Sequence, residues 1–243
     1  MVLNEQQLQH YFREGYVLVP GLAPRTSVES VLEVAKQRLR NNHDRWQPTS
    51  FEHDTPEKDA EVHRLLYEPR VIEAVEQLLG NEPRVYYGML AIVPARGGHG
   101  LPWHQDNQYS HLLPSALNCF IALNTITPDK GILWVAPRSH RAGRQESKEA
   151  TDAPGHREAV VEPANGIALP TLQPGDACIF DRSTYHRSLR NETDEPRYAY
   201  AAQYMSDNGR RAETGEREPN RMRARDLERM IKERLGAPEL VRA

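Results

Sequence analysis

The middle of the chain, from about residue 84 to 205, is a succession of short apolar runs separated by proline and glycine. Each run is enriched in β-branched and aromatic residues, which is typical of buried strands. Because the runs are short and lack helical spacing, they favour a jelly roll or sandwich over alternating strand–helix units. The strand-like runs cover residues 85–93, 118–123, 132–135, 177–180 and 198–204.

Helical patterns precede this region. A capping pair, Asn4 with Gln7, predicts a first helix, and a capping box, Thr26 with Glu29, predicts a second. Pro69 predicts the start of a third, since proline is well tolerated in the first helical turn. We therefore expect a mainly β protein with flanking helices.

The remaining segments complete the organisation. Residues 16–19 predict an edge strand, and the polar, aperiodic residues 42–60 predict a loop. A charged C-terminal segment contains an amphipathic helix around Leu227, capped by Gly236. We expect a single domain over residues 1–243, with a helical N-terminal part (about 1–83), a jelly-roll core (about 84–205) and a charged helical tail (about 206–243).

Composition excludes several classes of function. The net charge of −3 gives no global basic field for nucleic acid or an anionic membrane. No run approaches the roughly 20 apolar residues of a membrane span, and the N-terminus lacks a signal-peptide pattern. Cys119 and Cys178 are too few for a disulfide scaffold or a cysteine-based zinc site. We expect a cytoplasmic protein with a small-molecule partner, no nucleic-acid or membrane partner, and an open oligomeric state.

His104 and Asp106 form an H-x-D triplet, and His186 follows the strand-like run at 177–180. In an extended chain residues i and i+2 point the same way, so the triplet can hold one ion from two positions. His186 is the best candidate for a third ligand from another strand. Two imidazoles and one carboxylate are the ligand set that holds non-haem Fe(II) in oxygenases. The alternative is chance, because isolated H-x-D triplets are common.

Further motifs surround these ligands in a fixed order. They cover residues 8–22, 103–106, 131–140, 172–176 and 196–198. Together they resemble the phytanoyl-CoA dioxygenase family of Fe(II)- and 2-oxoglutarate-dependent oxygenases, over about residues 3–205. The resemblance implies a double-stranded β-helix, a cupin-like jelly roll, in which His104, Asp106 and His186 hold iron. It also implies 2-oxoglutarate as cosubstrate, O2 as oxidant, and succinate and CO2 as coproducts.

Arg197 follows His186 on the next strand-like run, where a guanidinium could bind a carboxylate bidentately. The resemblance implies that Arg197 anchors the distal carboxylate of 2-oxoglutarate, with help from Ser188, and that Gln105 lies near the cosubstrate. Taken alone, Arg197 is better explained as a solvated residue at a strand end.

The chain departs from the family pattern at three positions near the expected pocket. Val93 stands where a lysine is frequent, Phe120 where a tryptophan is common, and Arg138 where the family has a glycine. These departures leave the metal ligands untouched but weaken any transfer of the substrate pocket. The candidate substrate contacts are Tyr87, Met89, Asn107, Tyr109, Trp134 and Arg138.

The predicted function is oxidation, by default hydroxylation, of a C–H bond in a small polar metabolite or natural-product intermediate. Asp106 fills the ligand position that chloride would need, which argues against halogenation. Desaturation, epoxidation and cyclisation stay open, as does the substrate. Two other classes also stay open: a cupin-like metal enzyme that does not use 2-oxoglutarate, and a non-catalytic β-sandwich binding module.

Overall fold

The computed structural model describes residues 1–41, 50–114, 116–218 and 221–235. The helices are α1 (Glu5–Glu14), α2 (Arg25–Asn41), α3 (Pro69–Leu79) and α4 (Ala224–Leu235). The strands are β1 (Tyr16–Val19), β2 (Arg84–Val93), β3 (Leu112–Leu113), β4 (Ala116–Ala122), β5 (Leu133–Val135), β6 (Ser147–Glu149), β7 (Arg157–Ala159), β8 (Ile167–Ala168), β9 (Ala177–Asp181), β10 (His186–Ser188), β11 (Arg197–Met205) and β12 (Arg210–Arg211).

The larger sheet has five antiparallel strands in the order β1-β9-β4-β11-β2. A smaller sheet has the order β10-β5-β8, and two-stranded ribbons form from β12 with β3 and from β6 with β7. Strand β1 is the predicted edge strand, but it joins the larger sheet from outside the predicted core limits of 84–205. The jelly roll therefore recruits its outermost strand from the N-terminal segment.

The two faces of the larger sheet belong to different cores, because successive side chains on a strand point to opposite sides. The outer face packs against the helices through side chains such as Leu117, Ile179 and Tyr200. The inner face packs against the smaller sheet, where Phe120 and Phe180 meet Leu133 and its neighbours. This two-sheet arrangement confirms the predicted jelly roll.

The first helix begins as the sequence predicts, whereas the second does not. Asn4 and Gln7 form the capping box of α1. In α2 the helix already begins at Arg25, so Thr26 lies inside the first turn and the predicted capping box is wrong. Glu29 instead accepts a hydrogen bond from Arg25 Nε at 2.8 Å, an exposed pairing one helical turn away.

Helix α3 begins at Pro69 as predicted and ends at Gly80, which has φ 71°. Left-handed backbone of this kind is easily reached only by glycine, so Gly80 ends the helix. None of the described helices combines the length and the apolar character needed to cross a membrane.

The C-terminal helix is part of the main core. Leu227 and Ile231 of α4 are buried in the cluster that also contains Leu3, so this helix packs against the N-terminal part of the chain. Gly236, the predicted cap, lies outside the described residues. In the predicted loop, residues 42–49 also lie outside them, while Ser50 forms a β-bridge with Met89.

Candidate active site

A main-chain bridge brings two of the predicted metal ligands together. The amide N–H of His104 donates to the carbonyl of His186 at 3.0 Å, and that of His186 donates back at 3.0 Å. Gln105 is extended, with φ −120° and ψ 140°, and Asp106 begins a short 3-10 turn. The triplet is thus not a continuous strand as expected, but its extended middle residue still lets His104 and Asp106 contribute to one cluster.

The ligand atoms of His104, Asp106 and His186 all lie within 4.8 Å of one another, and all three residues are buried. His104 Nδ1 lies 2.8 Å from the carbonyl oxygen of Pro102, and His186 Nδ1 lies 3.0 Å from that of Thr184. A carbonyl can only accept, so each Nδ1 carries the proton and each Nε2 keeps a lone pair. Backbone contacts that fix the tautomer in this way are typical of metal-binding histidines. The residues therefore fit Fe(II).

The electrostatics also favour metal binding. Burial, and then the neighbouring His186, lower the pKa of His104 well below its usual value, which keeps the imidazole neutral. Burial raises the pKa of Asp106, but the neighbouring His186 and Arg182 and a hydrogen bond from Asn118 outweigh it, so the pKa lies below its usual value. Asn118 Nδ2 donates to Asp106 Oδ2 at 3.0 Å. At neutral pH Asp106 is a carboxylate, ready to coordinate a cation.

A cavity of about 390 Å³ opens beside His104 and Asp106. Three of the predicted substrate contacts, Tyr87, Met89 and Tyr109, line it. The other lining residues are Tyr86, Leu101, Ser110, His156, Arg182 and Gln203. Its volume lies within the usual range of small-molecule pockets, and several of its lining side chains carry hydroxyl groups.

Arg182, which is only 2% exposed, was not among the residues predicted for the site. Its guanidinium donates to Asn107 Oδ1 at 3.2 Å and to the carbonyl of Asp106 at 2.9 Å, and also to Gln203 and Ser110. Arg182 thus fixes the turn that carries Asp106 and one wall of the cavity. The polar residues around it in sequence resemble an ordinary surface turn, so only the tertiary fold reveals that it is buried.

Asn107 and Gln105 support loops instead of facing a ligand. Asn107 Nδ2 donates to Ser183 Oγ at 2.8 Å, and its Oδ1 accepts from Arg182. The Gln105 amide donates to the carbonyl of Ser183 and is bonded on both sides to the main chain of residues 143–145. Because these polar groups are already used, the predicted substrate contact of Asn107 and cosubstrate contact of Gln105 are corrected to structural roles.

Two further predicted substrate contacts lie outside the cavity. Trp134 pairs with Arg187 across the smaller sheet, whereas the next pair, Val135 with His186, faces inward. Trp134 therefore lies on the outer face. Arg138 is ion-paired with Glu14, with Nε to Oε2 at 3.0 Å, and its side chain is 62% exposed. Neither Trp134 nor Arg138 therefore lines the cavity beside the predicted metal ligands.

Arg197 lies on the inner face at the start of β11 and is 5% exposed. One terminal nitrogen donates to the carbonyl of Gly131 at 2.8 Å, while Nε is buried without a partner among the described residues. Burial lowers the pKa of Arg197 to about 10, which leaves it charged at neutral pH. Ser188 lies on β10, where its Oγ accepts from the amide of Leu101 at 3.3 Å.

A jelly roll that gathers two histidines and a carboxylate around one ion position, beside a small-molecule cavity, defines a non-haem iron oxygenase. The model of the phytanoyl-CoA dioxygenase (PhyH) family matches residues 11–199. The chain therefore belongs to the phytanoyl-CoA dioxygenase family.

Similar proteins agree with this assignment. L-Proline trans-4-hydroxylase from Streptomyces griseoviridis is 32% identical over 74% of this chain and 72% of that protein. Methylphosphonate hydroxylase from Gimesia maris is 24% identical over 80% of this chain and 78% of that protein. The crystal structure of EvdO2 from Micromonospora carbonacea var. aurantiaca has the same fold, with a TM-score of 0.71 and 24% identity over 90% of this chain and 96% of that one.

The predicted family, fold and enzyme class are confirmed. The protein is an Fe(II)- and 2-oxoglutarate-dependent dioxygenase, an oxidoreductase that uses O2. This outcome rejects both the cupin-like enzyme without 2-oxoglutarate and the non-catalytic binding module.

Proposed function

We propose that His104, Asp106 and His186 hold the iron, that Arg197 anchors 2-oxoglutarate, and that the enzyme hydroxylates a C–H bond of a small polar metabolite. The observation that carries this proposal is the cluster of three buried ligand atoms within 4.8 Å, in which both histidines bond a main-chain carbonyl through Nδ1 and so keep Nε2 for a metal. When bound, Fe(II) with 2-oxoglutarate and O2 supplies the oxidising power, and the protein supplies orientation and a protected cavity.

The surroundings of Arg197 support a carboxylate ligand. A buried cation without an acidic partner is costly, and no acidic side chain in the described part of the chain pairs with Arg197. Alanines occupy the inner face along the strands between the levels of Arg197 and Gln203, and these small side chains leave room for a dicarboxylate. They are Ala91, Ala122, Ala199 and Ala201. Ser188 is a second candidate contact, since β10 also carries His186.

At the opposite end of β2 and β11, the side chains support a separate binding position for the organic substrate. Gln203 pairs with Tyr87 at this end, and Met89 lies two residues further along β2. All three line the 390 Å³ cavity next to the metal ligands, whereas Arg197 does not. We therefore assign the Arg197 end to the cosubstrate and the tyrosine-lined end to the substrate. Two of the similar proteins are named as hydroxylases of proline and of methylphosphonate, which supports a small polar substrate.

Tyr109 connects the metal site to a covering hairpin. Its ring lies edge-on to His104, with centroids 6.0 Å apart. Its hydroxyl accepts from the amide of Arg157 at 2.9 Å and lies 3.3 Å from His156 Nδ1. Tyr109 therefore holds the β6–β7 hairpin over the cavity, where the hairpin limits the access of water to the reacting centre.

Spectroscopy without oxygen tests the metal assignment. Anaerobic addition of Fe(II) and 2-oxoglutarate to the wild type should produce a visible charge-transfer band. His104→Ala should abolish the band and reduce iron affinity at least 100-fold, by analogy with the loss expected on disturbing a metal shell. His111→Ala is the matched control and should keep the band. A wild type without a band, or an unchanged iron affinity in His104→Ala, would contradict the assignment.

A metabolite screen tests the reaction. The expected result is succinate release coupled to depletion of one compound, with a product heavier by one oxygen atom. Depletion with a product lighter by two hydrogen atoms would show that the reaction is desaturation or cyclisation and not hydroxylation.

We also infer that the enzyme works in a reducing compartment, of which the cytoplasm is the simplest. Cys119 and Cys178 are free and buried, and burial raises the pKa of both thiols far above the usual value. Two unpaired thiols suit a compartment in which disulfides do not form.

A further inference from the structure

Strand β10 carries an arginine, Arg187, with an unusual environment. His186 faces the interior of the jelly roll, and the next residue, Arg187, faces outward. The Cζ of Arg187 lies over two indole rings, 4.7 Å from the ring centroid of Trp103 and 4.8 Å from that of Trp134. Two aromatic rings thus contact this one cation, and such contacts favour a guanidinium.

This guanidinium has no acidic partner in the described part of the chain. No carboxylate there forms an ion pair with Arg187, and its Nε is buried without a hydrogen-bond partner. A positive charge that is partly removed from water and left without an acidic partner gains from an anionic ligand. A guanidinium suits a carboxylate, which it can bind through two parallel hydrogen bonds.

A cavity of about 520 Å³ lies at Arg187, next to the metal cavity. Leu101 lines both cavities. The β6–β7 hairpin also contributes to both, with His156 at the metal cavity and residues 151–153 at the second one. The two spaces are therefore neighbours, separated at Leu101 and covered by one hairpin.

The other charged groups of the second cavity do not cancel Arg187. Glu158 is occupied, since its carboxylate lies 3.7 Å from Lys148 Nζ and accepts from the amide of Thr151. Asp152 and Glu162 are exposed, so water and salt screen their charges. The cavity is also lined by a histidine, His99, and a second arginine, Arg190. Arg187 is thus half-buried in this space and has no acidic partner among the described residues, whereas His99 and Arg190 are exposed.

We propose that Arg187 binds a carboxylate group of the organic substrate while the reacting carbon lies in the metal cavity. The inference rests on the proposed function and deepens it, because it defines the substrate as a carboxylic acid long enough to pass Leu101. Trp103 and Trp134 act as positioning residues, because their rings hold the guanidinium of Arg187 in place. The specificity of the enzyme then comes from a cavity outside the jelly-roll interior.

Tryptophan fluorescence tests the carboxylate site without iron. The metal-free protein is titrated with small carboxylic acids, each paired with its primary amide, from amino acids to hydroxy acids and aromatic acids. We expect acids to change the emission of Trp103 and Trp134 with saturation, and the corresponding amides to bind at least tenfold more weakly. Arg187→Gln should lose the preference for acids. Arg190→Gln is the matched control from the same cavity and should keep it.

A second readout connects the site to the reaction. With anaerobic Fe(II) and 2-oxoglutarate bound, the acids that respond in fluorescence should shift the charge-transfer band, and Arg187→Gln should need at least tenfold more acid for the same shift. The band before addition of acid should be the same in both proteins. Equal binding of acids and amides, the same acid preference in Arg187→Gln, or no response to any acid would overturn the proposal. A wild type that never forms the band but shows the fluorescence preference contradicts the proposed function instead.

Discussion

The two faces of β11 differ in how their polar groups are satisfied. On the outer face the Tyr200 hydroxyl lies 2.7 Å from His63 Nδ1, and the Tyr204 hydroxyl donates to the carbonyl of Leu66 at 2.8 Å. On the inner face Arg197 keeps a buried Nε without a partner. The two tyrosine hydroxyls of the outer face thus have partners within the protein, whereas the Arg197 guanidinium of the inner face has a nitrogen left for a ligand. One strand thus combines stability and function through the alternation of its side chains.

The largest effect is expected on the outer face. Tyr204→Ala should lower the free energy of unfolding by about 3–5 kcal/mol, because it removes a fully buried aromatic side chain. Tyr204→Phe should cost about 1 kcal/mol, since only the hydrogen bond to Leu66 is lost. Urea denaturation measures both values, and the KM for 2-oxoglutarate of the folded fraction should not change. A large change in that KM would show that the two faces are not independent.

On the inner face we expect the opposite signature. Arg197→Met should raise the KM for 2-oxoglutarate about 10- to 100-fold, which is about 1.4–2.8 kcal/mol, because a charge-assisted pair is lost. Its free energy of unfolding should stay within about 1 kcal/mol of the wild type, since replacing a buried charge by an apolar side chain is often neutral. Arg197→Lys keeps the charge but loses the planar set of donors. Its KM for 2-oxoglutarate should lie between those of the wild type and Arg197→Met. A destabilised variant with an unchanged KM would assign Arg197 to the structural side of the comparison.

The remaining effect depends on pH and again concerns the outer face. Burial, the largest cause, lowers the pKa of His63 to about 4, below its unfolded value of 6.5. As pH falls below 6.5 the unfolded chain takes up a proton that the folded protein excludes, so stability is lost. Between pH 7 and pH 5 the loss from His63 is about 2 kcal/mol. His63→Gln should lose correspondingly less over this range in urea denaturation of the metal-free protein. Equal losses in both proteins would show that His63 does not titrate in this way.

Much of the site could be predicted because its ligands stand in short, ordered motifs. The H-x-D triplet, His186 and the start of the Arg197 strand can all be recognised locally, and the structure gathers the three ligands around one point. Arg138 is also instructive: it replaces a family glycine and adopts φ 67°, so the backbone keeps the left-handed turn although the residue has changed.

What could not be predicted was the direction of side chains on short elements. Strand β10 has three residues, too few to show an alternating pattern, so nothing local placed Arg187 and its partner Trp134 on the outer face. Arg182 was missed for a related reason, because a charged residue after a buried strand normally lies in solvent. Its acceptors come from Asn107, Ser110 and Gln203, which are brought together only by the tertiary fold.

The paired main chain at His104 and His186 has a consequence for how such an enzyme can evolve. Two reciprocal backbone hydrogen bonds set the spacing of the ligands, and backbone hydrogen bonds do not depend on which side chains surround them. Mutations at the cavity wall or in the β6–β7 hairpin can therefore accumulate while the ligands keep their relative positions. A lineage built on this arrangement can acquire a new substrate by successive side-chain changes, without passing through a form that has lost its metal.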